Sequence, residues 1–317
     1  MNLSIVVPVY NEEANLEPLI QEIKSVLEPT GTDYEIIIVD DGSSDGSYPL
    51  LSRLYRKDPR LKILCLKRNF GQTAAVAAGF AHAQGTVIIA MDGDGQNDPG
   101  DIPALLKKLE EGYDLVSGWR FPRADPFLSR RLPSQIANRL ISWITQVKLH
   151  DYGCTLKALR REIAQDLKLY GEMHRFIPAM AYERGAKIAE IQVHHRPRRW
   201  GKSKYGIART FRVILDLVTV KFLLSYSTRP LHIFGLIGLS SGAIGFVTAV
   251  YLTVQKIFYG IDIGGRPLLL LAALLILIGV QFISMGLLGE MLARTYHESQ
   301  GKPIYIVKEI FGGGTQQ

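Results

Sequence analysis

Apolar residues follow two rhythms along the first 120 positions. Short unbroken runs, at Ser4–Val9, Glu35–Val39, Leu61–Leu66 and Val87–Met91, are rich in Val, Ile and Leu and do not alternate with polar residues. Between them the spacing changes to three and four, as at Leu16, Leu19, Ile20, Ile23 and Leu27. The first rhythm predicts strands buried on both faces and the second predicts amphipathic helices. Helices are expected at Glu12–Leu27 with Asn11 as N-cap, near Tyr48–Lys57, near Thr73–Ala83 and at Ile102–Glu111, with a further short strand at Asp114–Ser117. This βαβ series predicts a mostly parallel α/β sheet covered on both faces, which binds ligands at the carboxyl ends of its strands. The first apolar run is too short, and lacks the basic residues before it, to be a signal peptide.

The pattern is mixed and more basic from 120 to 228. Leu132–Val147 reads as an amphipathic helix and Lys187–Val193 as a strand. The run HHRPRRWGKSKYG follows, with five Lys/Arg and no acid. Ile207–Leu224 reads as a helix whose apolar face is interrupted by Arg209, Arg212 and Lys221, as in helices lying on a membrane surface. Two stretches, Leu231–Val254 and Leu268–Leu288, contain no charged residue. Each exceeds the ~20 residues needed to cross a bilayer, and the short link between them predicts a transmembrane hairpin. Lys and Arg are denser outside the hairpin than in its link, which places the N-terminal domain and the C-terminal tail in the cytoplasm and makes the chain an integral protein of the cytoplasmic membrane. Small residues in the first span (Gly235, Gly238, Ser240, Ser241, Gly242 and Gly245) allow close helix approach, either to the second span or to another copy in a homo-oligomer.

Composition narrows the partners. The 317 residues carry 37 Lys/Arg against 30 Asp/Glu, a formal charge of +7, so nucleic acid, an anionic membrane and a phosphorylated substrate are all admissible. The basic run has few interleaved aromatics and precedes the spans, which argues against nucleic acid. Cys65 and Cys154 are widely separated, so no CxxC metal or redox site exists.

Three polar motifs fall at strand ends. Asp92-Gly93-Asp94 offers two carboxylates one residue apart, with Gln96 as a neutral oxygen donor, and this set can hold one Mg²⁺ or Mn²⁺ together with substrate phosphates. A surface turn rich in Asp and Gly is the alternative. In Pro8-Val9-Tyr10-Asn11-Glu12, Tyr10 can stack on a base and Glu12 can accept a hydrogen bond from it; the segment also reads as a helix-capping turn. Asp40-Asp41-Gly42-Ser43 can bind ribose hydroxyls or form an Asx-turn.

Together VVPVYNE, IIIVDDGSSDGS, RNFGQTAA and MDGDGQND resemble the family 2 glycosyltransferases over about residues 3–230. With the hairpin and WGKSKYG, the chain resembles the polyprenyl-phosphate glycosyltransferases of the dolichyl-phosphate mannose synthase type, in the bacterial branch with two C-terminal membrane helices. The resemblance implies a GT-A (Rossmann-like) domain at 1–205, juxtamembrane amphipathic helices at 206–229, two transmembrane helices within 230–292 (about 231–254 and 268–290) and a cytoplasmic tail at 293–317. It implies a nucleotide-sugar donor, a divalent metal and a polyprenyl phosphate acceptor held in the lipid bilayer. By the same resemblance Pro8, Tyr10, Glu12, Asp40, Asp41, Asn69, Gly71 and Gln96 bind the nucleotide-sugar. Asp92, Asp94 and Gln96 hold the metal. Asp92, Asp94, Arg120 and Asp151 are the catalytic set, with Asp151 either orienting a substrate or acting as base. Arg130, Arg131, Arg198, Ser203 and Lys204 bind phosphate groups of the acceptor or donor. UDP-glucose is the favoured donor, ahead of GDP-mannose and then 4-amino-arabinose or N-acetylhexosamine. A processive polysaccharide synthase would carry QxxRW, but Arg196 stands in place of the Gln. A non-catalytic nucleotide-sugar-binding scaffold is the reading from another class.

Overall fold

The computed structural model describes residues 2–121, 138–139, 141–142, 145–169, 173–197, 231–299 and 304–312. It divides into two compact units, 1–217 with 303–317, and 218–302. In the first, β1 (Asn2–Val9), β2 (Asp33–Asp40), β3 (Leu61–Leu66) and β4 (Val87–Ala90) form the parallel half of an eight-stranded sheet. Helices α1 (Glu13–Leu27), α2 (Ser47–Leu54), α3 (Gln72–His82) and α4 (Ile102–Glu110) connect or cover them. Beyond lie β5 (Leu115–Arg120), β6 (Lys157–Arg160), α5 (Arg161–Asp166), α6 (Ile177–Glu183), β7 (Ile188–Val193) and β8 (Val307–Phe311). The order across the sheet is β7-β5-β6-β4-β1-β2-β3-β8.

The strands and helices expected up to residue 120, the strand near 187–193 and the two long apolar helices are present, and two further strands join the sheet. β6 inserts antiparallel between β4 and β5, and β8 adds an antiparallel edge beside β3. Residues 293–317 are therefore not simply a tail. The helix before them runs on to Ser299, and Val307–Phe311 joins the sheet of the first unit. Tyr48 donates a hydrogen bond of 2.6 Å to Glu309, and Phe311 packs its ring on Tyr48 and Tyr55. The expected amphipathic helices at 206–229 lie outside the described residues, as does most of Leu132–Val147.

One face of the sheet buries Ile5, Val7, Ile36 and Ile38 against Leu16, Leu19, Ile20 and Ile23 of α1. Helix α1 does not use the expected cap. Asn11 adopts a left-handed φ of 54° and its side chain binds Ser44 instead. The first amides of the helix are taken by the loop after β2: Glu12 N–H donates to Ser47 Oγ and Glu13 N–H to Asp45, each at 3.3 Å. A distant loop thus satisfies donors that a local side chain usually would.

In the second unit α7 (Leu231–Tyr259) and α8 (Pro267–Ser299) pack together. Their segments Phe234–Tyr259 and Pro267–Gly289 have mean hydropathies of 1.7 and 2.7 and are long and apolar enough to cross a membrane. They expose rather than bury their apolar side chains: Phe246 and Leu277 are each 63% exposed. That is unlike the core helix of a soluble protein, and fits a helix pair solvated by lipid. The small residues of α7 are used within the chain, where a Cβ at Gly279 would lie 2.6 Å from the Gly238 carbonyl oxygen and 2.9 Å from the Gly242 nitrogen.

Candidate active site

The parallel strands reverse direction of winding between β1 and β4, because β2 and β3 lie on one side of β1 and β4 on the other. Such a switch point opens a crevice at the strands' carboxyl ends. Pro8–Glu12 leaves β1 here, Asp40 ends β2, and Asp92–Asp94 follows β4. The first and third motifs touch: a Cβ at Gly93 would meet the Pro8 carbonyl oxygen at 3.1 Å and Val9 Cγ2 at 2.9 Å, so only glycine lets the acidic turn lie against β1.

Asp92 is held from both sides. Gln72 Nε2 donates to Oδ1 and Thr155 Oγ1 to Oδ2, each at 2.7 Å. Its backbone N–H donates to Asn97 Oδ1 at 2.9 Å. Burial, and after it the charge of Asp94, push Asp92 up to about 6. Asp94 is buried and accepts from the Gln96 N–H at 3.1 Å. Two crowded carboxylates, each raised in energy by the other's charge, favour a cation between them. Two carboxylates and an amide oxygen fit Mg²⁺ or Mn²⁺, which take one or two carboxylates and complete their shell with water and phosphate. Among the described residues no group of three or more His, Cys, Asp or Glu forms an all-protein metal cage.

The other acids are more committed than sequence reasoning anticipates. Asp41, 3% exposed, accepts the Phe70 and Gly71 N–H groups at 2.7 and 2.9 Å. It thereby fixes the loop carrying Asn69 and Gly71 at the start of α3. Asp40 accepts from the Ser43 N–H, and burial raises both carboxyls above their usual range. Glu12 is half-buried and accepts from Asn15 Nδ2 at 2.7 Å; Tyr10 is also half-buried at the end of β1. Gln96 bonds both ways with Arg196, whose guanidinium pairs with Glu22 and Asp98. The residue replacing the glutamine of QxxRW is thus an anchor for the acidic loop.

Arg120, at the end of β5, meets Asp151 through Nε at 2.6 Å and Nη2 at 2.8 Å. Burial opposes the charge on Arg120, but its hydrogen bonds to Asp151 and the charge of that carboxylate raise it above the usual arginine range. Lys157, 2% exposed on β6, donates to the Cys154 carbonyl; burial lowers its ammonium below the usual value. Nearby, His174 is driven by burial to about 3 and is neutral, bonded to Thr73 Oγ1 at 2.7 Å. A small cavity beneath Asp92 is lined by Pro8, Gln72, Thr155, Lys157 and His174. Sequence reasoning singled out none of Gln72, Thr155 and Lys157. Gln72 carried a signal, since it belongs to the RNFGQTAA motif; Thr155 and Lys157 lie in HDYGCTLKAL, the segment that carries Asp151. The phosphate-binding candidates Arg130, Arg131, Arg198, Ser203 and Lys204 lie outside the described residues.

The family model "Glycosyl transferase family 2" matches residues 4–168. The chain belongs to this family. It is a glycosyltransferase with a GT-A-like domain, and relatives match it along its whole length. One, named dodecaprenyl-phosphate galacturonate synthase, from Rhizobium johnstonii, is 47% identical over all of this chain and 95% of its own. Another, named undecaprenyl-phosphate 4-deoxy-4-formamido-L-arabinose transferase, from Shewanella sediminis, is 38% identical over 98% of this chain and 93% of its own. Among solved structures, the glucosyl-3-phosphoglycerate synthase of Mycobacterium tuberculosis with Mn²⁺ and UDP-glucose aligns with a TM-score of 0.56 at 18% identity. It covers 69% of this chain and 78% of its own, a likeness of fold.

Proposed function

We propose that this glycosyltransferase moves a sugar from a nucleotide-sugar to the phosphate of a membrane polyprenyl phosphate, with inversion at the anomeric carbon. The observation that carries the reading is the union, in one chain, of paired acids at the β1/β4 switch point with two helices long and apolar enough to hold the chain where a polyprenyl acceptor resides. For the sugar we favour galacturonate over the glucose expected above, because the 47% identical relative is named for it. UDP is the expected donor nucleotide.

An acceptor phosphate oxygen attacks the anomeric carbon, forming the new C–O bond as the bond to the donor diphosphate breaks and the nucleoside diphosphate leaves. A phosphate monoester has its second pKa near ~6, so the nucleophile is already ionised at neutral pH and needs no strong base. Tyr10, Glu12 and Asp40 are assigned to the nucleoside, while Asp41 shapes the wall beside it. Asp92, Asp94 and Gln96 would hold Mg²⁺ or Mn²⁺, which when bound neutralises charge on the diphosphate. Arg120 keeps Nη1 for an anion while Asp151 occupies Nε and Nη2. Arg130, Arg131, Arg198, Ser203 and Lys204 are assigned to the phosphates of the acceptor or donor.

Both flanks of the hairpin contribute to the first unit, since β8 follows α8 in sequence. If the helices span, the catalytic unit stays on one side; the excess of Lys and Arg outside the hairpin assigns that side to the cytoplasm.

The test is transfer by the full chain in liposomes containing undecaprenyl or dodecaprenyl phosphate, with labelled UDP-galacturonate, UDP-glucose or GDP-mannose, and with Mg²⁺, Mn²⁺ or chelator. Chelator-sensitive label in the lipid phase from UDP-galacturonate is expected, lost in Asp92→Ala and Asp94→Ala. Lipid label from another donor would replace the sugar assignment. No lipid label from any donor would remove the acceptor assignment.

A further inference from the structure

Asp151 sits in an irregular stretch, so neither a helix nor a strand ladder sets its direction. Backbone donors in such a stretch need partners from elsewhere in the fold. Glu190, in the middle of β7, supplies them. Its Oε1 accepts the His150 N–H at 2.9 Å and the Asp151 N–H at 3.0 Å, and Oε2 lies 3.0 Å from the same His150 nitrogen. Oε2 also meets His150 Nδ1 at 2.7 Å. The carboxylate is only 10% exposed, so water competes little for these bonds. Holding two successive amides fixes the peptide planes that lead into Asp151.

The same turn is clasped to β5 from both faces, because adjacent side chains of a strand point to opposite sides. On one face Arg120 meets Asp151. On the other, Trp119 stacks on His150, with ring centroids 4.2 Å apart and planes 16° from parallel. β5 and β7 pair in parallel register, Ser117 opposite Glu190 and Arg120 opposite Val193, so Glu190 and Arg120 are carried by one hydrogen-bonded strand pair. A guanidinium is planar, and two bonds fix its plane. With Nε and Nη2 on Asp151, the direction of Nη1 follows from where that carboxylate is held.

We propose that Glu190 is a positioning residue for the donor diphosphate. By holding the His150 and Asp151 amides it aims Asp151, and through Asp151 it aims the Nη1 edge of Arg120. The relay Glu190–Asp151–Arg120 brings β7 into a site whose other acids all follow β1, β2 and β4. A carboxylate that only sealed the turn would affect stability and leave nucleotide affinity alone. The inference rests on the reading above that Arg120 faces the anionic part of the donor, but not on which sugar or acceptor is used.

The test is binding of UDP to the full chain in detergent at saturating Mn²⁺, by titration calorimetry. Mn²⁺ binding without nucleotide, read by paramagnetic resonance, is measured beside it. Glu190→Gln keeps the length of the side chain but turns an NH₂ group toward amides that themselves donate. It should weaken UDP about fivefold and leave Mn²⁺ affinity within about twofold of the parent. Asp151→Asn should weaken UDP to a similar degree. The double variant should bind no more weakly than the weaker single variant, because both changes break one relay. Losses that multiply in the double variant would overturn the proposal, as would unchanged UDP affinity in Glu190→Gln. So would UDP and Mn²⁺ affinities falling together, which marks general damage to this end of the sheet. A parent chain that binds neither UDP nor GDP would overturn it together with the donor assignment, whereas multiplying losses overturn it alone.

Discussion

Asp151 gives both of its carboxylate oxygens to Arg120, at 2.6 and 2.8 Å, and is only 1% exposed. Its Oδ1 also accepts the Gly153 N–H at 3.1 Å. These bonds take most of the ~four lone-pair positions of the carboxylate, and the paired guanidinium disfavours its protonation. Asp151 is therefore read as the residue that aims Arg120, not as a proton acceptor. Asp151→Asn should raise the donor KM more than it lowers kcat and should leave the acid limb of the pH–rate profile in place. Asp151→Ala should also lower stability by about 3 kcal/mol, since it strands a buried guanidinium. An acid limb that vanishes in Asp151→Asn would restore the base assignment.

Asp92 titrates at about 6 in the folded, metal-free protein against about 3.9 unfolded. The folded state thus holds the extra proton between these values, and stability falls as pH rises through that window. The loss from this group is at most about 3 kcal/mol, at 1.36 kcal/mol per unit. Asp92→Asn has no carboxyl to titrate. In chelator its melting temperature, compared with that of the parent, should gain progressively from pH 4 to pH 7 while transfer is lost. A constant difference across that range would show that Asp92 is not strained by its charge.

Thr155 anchors Asp92 from β6's N-terminal side and also lies 3.2 Å from Asn97 Oδ1. Thr155→Val keeps the shape but removes the hydrogen bond. We expect Mn²⁺ affinity, read by paramagnetic resonance, to fall about tenfold, with Thr155→Ser near the parent. The magnitude follows the usual effect of partners that orient metal ligands.

Much of this arrangement was legible before any coordinates. β1, β2, β3 and β4 declare themselves as unbroken β-branched or leucine-rich runs, and the acids that end them mark the crevice. β6 and β8 were missed for a physical reason. Lys157–Arg160 and Val307–Phe311 are short, include charged residues, and owe their pairing to partners far away in sequence. The same holds in the site. Asp41 looks free in DDGSSDGS until the loop at Phe70–Gly71 folds onto it, and Asn11 looks like a cap until Asp45 and Ser47 take that role. Local pattern reports strands and helices; it does not report which loop will reach a helix end or a carboxylate.

β8 is the last strand to be synthesised, yet it closes the edge of a sheet whose other strands all precede the hairpin. Without it β3 would present unpaired amides and carbonyls, a template for aggregation. Truncation after Ile304 should lower the melting temperature and promote aggregation. Phe311→Ala should destabilise by about 1–2 kcal/mol, because that half-buried ring packs on Tyr48 and Tyr55. Tyr48→Phe keeps the ring contacts and removes the hydroxyl's bond to Glu309, and should cost about 1 kcal/mol.

Gly279 and Gly242 meet in the hairpin, but not symmetrically. A Cβ at Gly279 would lie 2.6 Å from the Gly238 carbonyl oxygen and 3.0 Å from Gly242 Cα; a Cβ at Gly242 would meet nothing within 4 Å. Backbone atoms cannot swing aside as a flexible side chain can, so Gly279→Ala must push the helices apart along their closest approach. Close approach through small residues is a main source of helix association in lipid, where apolar burial gives little advantage. Gly279→Ala should therefore lower the thermal midpoint of the detergent-solubilised chain, and Gly279→Leu should lower it further. Gly242→Ala should leave it unchanged, with a small gain where alanine favours the helix. Equal effects of the two alanine variants would mean that α7 and α8 do not pack through this crossing.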